Sequence, residues 1–229
     1  AAIPSRNHPP IADAGVGATV VAQENVLTRM SAQDPPVPFE AWPTDTFFVP
    51  QKDLFFNGEA IITTYQPNAF SDGDSVVFFR RSDVVVTGEV YDPTRFPRLD
   101  LENGGSIQGV IDALNRIIAI TVPPIPLVWQ EGGTIVVGAH GIIGHEADVV
   151  DYRDMVTIIP DRVQDLIKKG QTLAQVRQAD PVKGYRGRFG SDTGPWTTNQ
   201  FIEAVYKSLG GGRTPPRPVR RPGAMLGES

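Results

Sequence analysis

The feature that most constrains the fold of this chain is a change of hydrophobic period at Gly105. Ahead of it, apolar residues come in short runs broken by turn signals. "TFFVPQKDLFFNGEAIITTYQP" is split by Asn57-Gly58, a strong hairpin turn, and "DSVVFFRRSDVVVTGE" by Arg80 to Asp83. Behind it, Ile107, Val110, Ile111, Leu114, Ile117 and Ile118 recur at helical spacing. The strand-like "GGTIVVGAHG" follows, and then "ADVVDYRDMVTIIPDRVQDLIKKG" carries a second helical stripe from Tyr152 to Ile167. Lys168, Lys169 and Gly170 end that helix, and Pro160 is expected to kink it. Thr172 and Thr197 each stand three residues before a Gln, as capping boxes opening two shorter helices. A small strand, Ala18 to Ala22, running into a short helix is expected at the start. A β meander followed by helices around one more strand is a layered α/β (α+β) pattern. The 21 prolines and 23 glycines punctuate many short elements and exclude a helical bundle.

Chemistry is bounded by what the chain lacks. With no cysteine, any metal must be held by His, Asp, Glu or backbone, and there are only three histidines: His8, His140 and His145. Ser106 and Ser191 lack the G-x-S-x-G setting of a nucleophile elbow, and neither G-x-x-x-x-G-K-[ST] nor G-x-G-x-x-G occurs. A formal charge of −5 and a pI near 5.2 give no reason to expect nucleic acid or a membrane surface as partner. No run of about 20 apolar residues is present to span a bilayer, and Ala1 to Pro10 has no apolar signal region. A soluble protein of cytoplasm or periplasm is expected. Asp72 and Asp74 flank Gly73 as turn formers, Asp100 supports the loop ahead of the first long helix, and Ser106 after Gly104-Gly105 reads as its cap. Residues 1–209 form the expected domain. Residues 210–229, rich in Gly, Pro and Arg, read as a flexible tail.

The ordered set "DGDSVVFFRRSDVVVTGEVYD", "LDLENGGSIQGVIDALNRII", "GGTIVVGAHG", "DVVDYRDMVTIIPDRVQDLIKKGQTLAQV" and "GRFGSDTGPWTTNQFIEAVYKSL" resembles the metallo-β-lactamase superfamily, in its bacterial metal-dependent hydrolase branch. The resemblance implies an αββα sandwich with a zinc site where strand-end loops meet. It also implies where the ligands should lie. The family's H-x-H-x-D-H motif falls on "AAIPSR", so Ala1, Ile3, Ser5 and Arg6 stand at the four ligand positions. Its next histidine falls on Phe70. Its "HTGD" reads "VTGE", with Val86 for the histidine and Glu89 for the metal-bridging aspartate. Its "GHG" reads "AHG" and keeps His140. Glu89 and His140 are therefore the expected metal residues, holding at most one weakly bound zinc ion. His8 and His145 are the only histidines left to replace lost ligands.

The resemblance implies, as a class, hydrolysis of an ester, amide or lactam carbonyl in a small-molecule substrate by metal-activated water, with the site degraded here. The alternative is a catalytically inactive binding or structural homologue. The family fold opens with strands ahead of its first motif, so the sandwich is expected to be incomplete at its N-terminal half. Strands such as Ser75 to Phe79 and Val84 to Val86 should then be flanked by unpaired edges, with a homo-oligomer or a chain completing the sandwich as partner.

Overall fold

A computed structural model describes residues 18–35, 37–124 and 132–211. Its centre is a five-stranded sheet in the order β3-β4-β5-β6-β7, made of β3 (Gln51–Phe56), β4 (Glu59–Gln66), β5 (Asp74–Phe79), β6 (Val84–Gly88) and β7 (Ile135–Gly138). The first four form an antiparallel meander, and β7 joins β6 in parallel. Asn57 and Gly58 turn β3 into β4 with φ of 51° and 75°, the left-handed backbone that such a hairpin needs. Separate from this sheet, β1 (Val21–Gln23) pairs in parallel with β2 (Asp45–Phe47) in a two-stranded ribbon, with α1 (Glu24–Ala32) packed on it.

Helices cover one face of the large sheet. Val76, Val85 and Val136 point into a core shared with α2 (Ile107–Ile120) and α3 (Glu146–Lys168). From α2 this core takes Val110, Leu114 and Ile117, and from α3 Tyr152, Met155 and Ile159, all almost fully buried. These are positions of the two helical stripes read from sequence, so patterning and packing agree. Helix α3 runs unbroken through Pro160, which is itself buried. Outside α3 lie α4 (Leu173–Gln178), α5 (Arg186–Phe189) and α6 (Thr198–Ser208). Both expected capping boxes form: Thr172 with Gln175, and Thr197 with Gln200, whose Oε1 accepts the Thr197 backbone N–H at 2.7 Å. Thr197→Ala should cost about 1 kcal/mol of unfolding free energy in a urea titration, with no change in the m-value.

Two expectations need correction. The first strand begins at Val21, not Ala18, because β1 forms only where it meets β2. Strands β5 and β6 are not flanked by open edges. They are interior, because the chain returns after α2 to lay β7 against β6, and the sheet's edges are β3 and β7. The layering is αββα-like, with a second β layer of only two strands among the described residues. The expected replacements at Ala1, Ile3, Ser5 and Arg6, the spare ligand His8, and nearly all of the 210–229 tail lie outside the described residues.

Candidate functional site

Strand polarity decides which loops can meet. β6 and β7 run parallel and β5 runs against them, so the start of β5 and the ends of β6 and β7 share one end of the sheet. That end carries Phe70 in the β4–β5 loop, Glu89 after β6, and His140 after β7. A bulge between Val86 and Gly88 breaks the β6–β7 register, and Gly88 takes φ of 55°. Such an irregularity re-aims the residue that follows it, here Glu89.

Close backbone approach holds the two loops together. Ala139 N–H donates to Tyr91 O at 3.0 Å. A Cβ on Gly138 would lie 2.7 Å from that same carbonyl oxygen, and one on Gly141 2.4 Å from the Thr94 methyl. Only residues without a side chain allow this contact. The β6 loop is also tied to the helices. Phe96 stacks on Phe201 with centroids 4.6 Å apart, Tyr91 meets Tyr152 edge-on at 5.2 Å, and the Tyr152 hydroxyl donates to Arg95 O at 3.1 Å. Burial pushes the Tyr152 phenol well above its ordinary value and raises that of Tyr91, which also faces Asp148, to about 12. Both stay neutral at physiological pH, Tyr91 as a packing group and Tyr152 as a packing and donor group.

The result brings together the two residues singled out from sequence. His140 Nε2 lies 3.6 Å from Glu89 Oε1, with the imidazole half exposed and the carboxylate largely buried. A second acid completes the group: one donor atom each from Glu89, Asp92 and His140 can be chosen with all three within 4.8 Å of one another. Sequence reasoning missed Asp92 because Asp-Pro-Thr reads as a turn. The turn is real, since Asp92 Oδ1 accepts from Thr94 N at 2.9 Å and from Thr94 Oγ1 at 2.5 Å. The other oxygen, Oδ2, sits 2.7 Å from Arg95 Nε. Although that oxygen makes no well-angled hydrogen bond, the short charge contact accounts for it. Asp92 is thus 97% buried and already partnered.

The donor set suits a divalent ion, but the geometry is loose. Ligands about 2.1 Å from a tetrahedral zinc stand about 3.4 Å apart, so a spread of up to 4.8 Å must contract. Asp92 would have to leave Thr94 or Arg95 to take part. Among the described residues this is the one group of three His, Asp or Glu side chains close enough together to hold an ion.

The other candidates have structural partners. Phe70 lies under the Arg98 guanidinium, 5.6 Å from the ring centroid. Val86 stands beside Val77 and Val137 on the sheet face away from the helices. His145 is the N-cap residue of α3, its backbone N–H donating to Asp148 Oδ2 at 2.9 Å, and it contributes nothing to the Glu89 group. Asp72 pairs with Arg29 of α1, and buried Asp74 accepts the Ser71 N–H at 2.6 Å. Burial raises the Asp74 carboxyl above its ordinary value. Asp100 binds Asn103 through both backbone and side chain, and the Ser106 hydroxyl accepts the Gly109 N–H at 3.0 Å, a cap with no anion needed.

No family model matches the chain, and no curated protein matches it in sequence. Solved structures do. A double mutant of the sec-alkyl sulfatase PisA1 superposes with a TM-score of 0.54 at 13% identity, covering 75% of this chain and 27% of that one. The stereoselective inverting sec-alkylsulfatase Pisa1 from Pseudomonas sp. gives 0.51 at 13% identity, over 76% of this chain and 27% of the enzyme. A metallo-β-lactamase from Pontibacter korlensis gives 0.45 at 15% identity, over 61% and 58%. The chain spans about a quarter of the sulfatase's length. At these identities the likeness to the two sulfatase structures is one of fold alone.

Proposed function

We propose that this chain carries the scaffold of a metal-dependent hydrolase whose site has been reduced to a single weak cation position, and that its hydrolytic activity is severely impaired. The observation that carries this reading is the 3.6 Å approach of Glu89 to His140 at the sheet end where the loops converge. A bound divalent ion there would lower the pKa of a coordinated water and polarise the carbonyl of a small ester, amide or lactam. Glu89 and His140 would hold such an ion, with the partnered Asp92 behind them. A second reading, a catalytically silent binding or structural homologue, is favoured by the fate of the neighbouring groups. Phe70 is engaged with Arg98, and Asp92 with Thr94 and Arg95.

Turnover of a generic ester and a generic lactam, measured with added zinc, separates the two. Impaired hydrolysis predicts a slow, zinc-dependent rate above the metal-only control that disappears in both Glu89→Gln and His140→Ala. A rate equal to that control in all three proteins would establish the silent homologue instead.

A further inference from the structure

Asp92 belongs to the Glu89–His140 group and is only 3% exposed, yet both of its oxygens are engaged in its own turn. The turn in question is the seat of the loop that carries His140. On the amino side of His140, Ala139 N–H donates to Tyr91 O at 3.0 Å. Gly138 lies so near that an added Cβ would fall 2.7 Å from that oxygen and 3.1 Å from Pro93 Cδ. On the carboxyl side, Gly141 takes φ of 88° and presses on Thr94, where an added Cβ would fall 2.4 Å from the methyl group. With its backbone seated on both sides, the imidazole keeps only its own side-chain torsions.

Thr94 is exposed, so core packing does not choose its rotamer. Asp92 does. Its Oδ1 accepts both Thr94 N at 2.9 Å and Thr94 Oγ1 at 2.5 Å, which leaves the Thr94 methyl turned to Gly141. Its Oδ2 faces Arg95 Nε at 2.7 Å, and Arg95 O accepts the hydroxyl of Tyr152, buried in α3, at 3.1 Å. A continuous path thus runs from α3 through Arg95, Asp92 and Thr94 to the backbone beside His140. Glu89 stands on the same segment, two residues ahead of Tyr91. One stretch of chain therefore carries the carboxylate and seats the imidazole that meets it at 3.6 Å.

We propose that Asp92 and Thr94 are positioning residues: they brace the β7 loop so that His140 faces Glu89, and Asp92 serves as this brace and not as a third cation ligand. The clause about a cation rests on the proposed function; the brace does not. To ligate, Asp92 would have to release Thr94 or Arg95. Releasing Thr94 frees the methyl group that seats Gly141, so a cation held by Asp92 would loosen its own imidazole ligand. Releasing Arg95 breaks a largely buried charge pair, which is costly.

Two measurements on the full chain test this, with the parent, Thr94→Ser and Thr94→Val. Serine keeps the hydroxyl and removes the methyl group; valine keeps the shape and removes the bond to Asp92. The first is amide hydrogen exchange without metal. The Ala139 amide should exchange about fourfold faster in Thr94→Ser, the worth of one buried methyl group, and by a smaller factor in Thr94→Val. The Gly144 amide, bonded to Val136 O at the base of the loop, should be unchanged, and so should the melting temperature. The second is calorimetric zinc titration, in which affinity should fall by about the same factors. Parent-like exchange at Ala139 in both variants overturns the proposal, and so does a general rise at Ala139 and Gly144 with a lower melting temperature. Faster exchange with unchanged zinc affinity also overturns it. A higher affinity in Thr94→Val would show Asp92 to be a ligand that Thr94 had restrained. If the parent takes up no zinc, the proposed function fails, and the exchange rates alone decide the brace.

Discussion

Gly109→Ala should destabilise the chain by about 3 kcal/mol or more, enough to remove much of a typical domain's stability. Gly109 is on the buried side of α2, against the Asn68–Ala69 backbone. A Cβ there would fall 1.8 Å from Asn68 O, 2.3 Å from Asn68 C and 2.9 Å from Ala69 N. All three are main-chain atoms, so no side chain can rotate away. The helix cannot simply step back either. Ser106 N–H donates to Asn68 O at 2.9 Å and Ser106 Oγ to the same oxygen at 3.0 Å, and Val110, Leu114 and Ile117 lock the rest of α2 into the core. In an exposed helix the same change would stabilise by about 1 kcal/mol through helix propensity, so the sign alone is informative. Gly187→Ala is the control: it lies in α5 with no atom within 4 Å of the added Cβ, and it should be neutral or slightly stabilising. Denaturant titrations of both variants compare the two sites directly.

Phe70→His combined with Glu89→Asp should tighten zinc binding on the order of a hundredfold, about 2.7 kcal/mol. Phe70 shares the sheet end of Glu89 and His140, so an imidazole there can add a ligand. Aspartate at position 89 withdraws its carboxylate by one methylene, toward the reach that the family resemblance implies. The change sacrifices the Arg98–Phe70 contact, worth about 0.5–1 kcal/mol. Calorimetric zinc titration measures the gain. Hydrolysis should stay low in this variant, because the residues at Ala1, Ile3, Ser5 and Arg6 are unchanged. Unaltered affinity would show that position 70 does not face the ion.

Much of the fold could be read from the sequence because its signals are local. The helical stripe from Ile107 to Ile118, the capping boxes at Thr172 and Thr197, and the Asn57-Gly58 hairpin depend on residues within a few positions of one another, and each appears where expected. Strand order was not legible, because the parallel pairing of β7 with β6 joins segments some fifty residues apart through α2. Likewise, sequence suggested Glu89 and His140 but not their neighbour Asp92. A short Asp-Pro-Thr turn carries no mark of the β7 loop that folds against it, a contact made through the glycines at 138 and 141.

Metal stoichiometry tests the proposed function most directly: a hydrolase-like scaffold that holds at most one cation. Elemental analysis of the purified chain, after dialysis against a small excess of zinc and then metal-free buffer, should find no more than one equivalent per chain. That equivalent should be lost in Glu89→Gln and in His140→Ala. Two tightly held equivalents per chain would contradict the account.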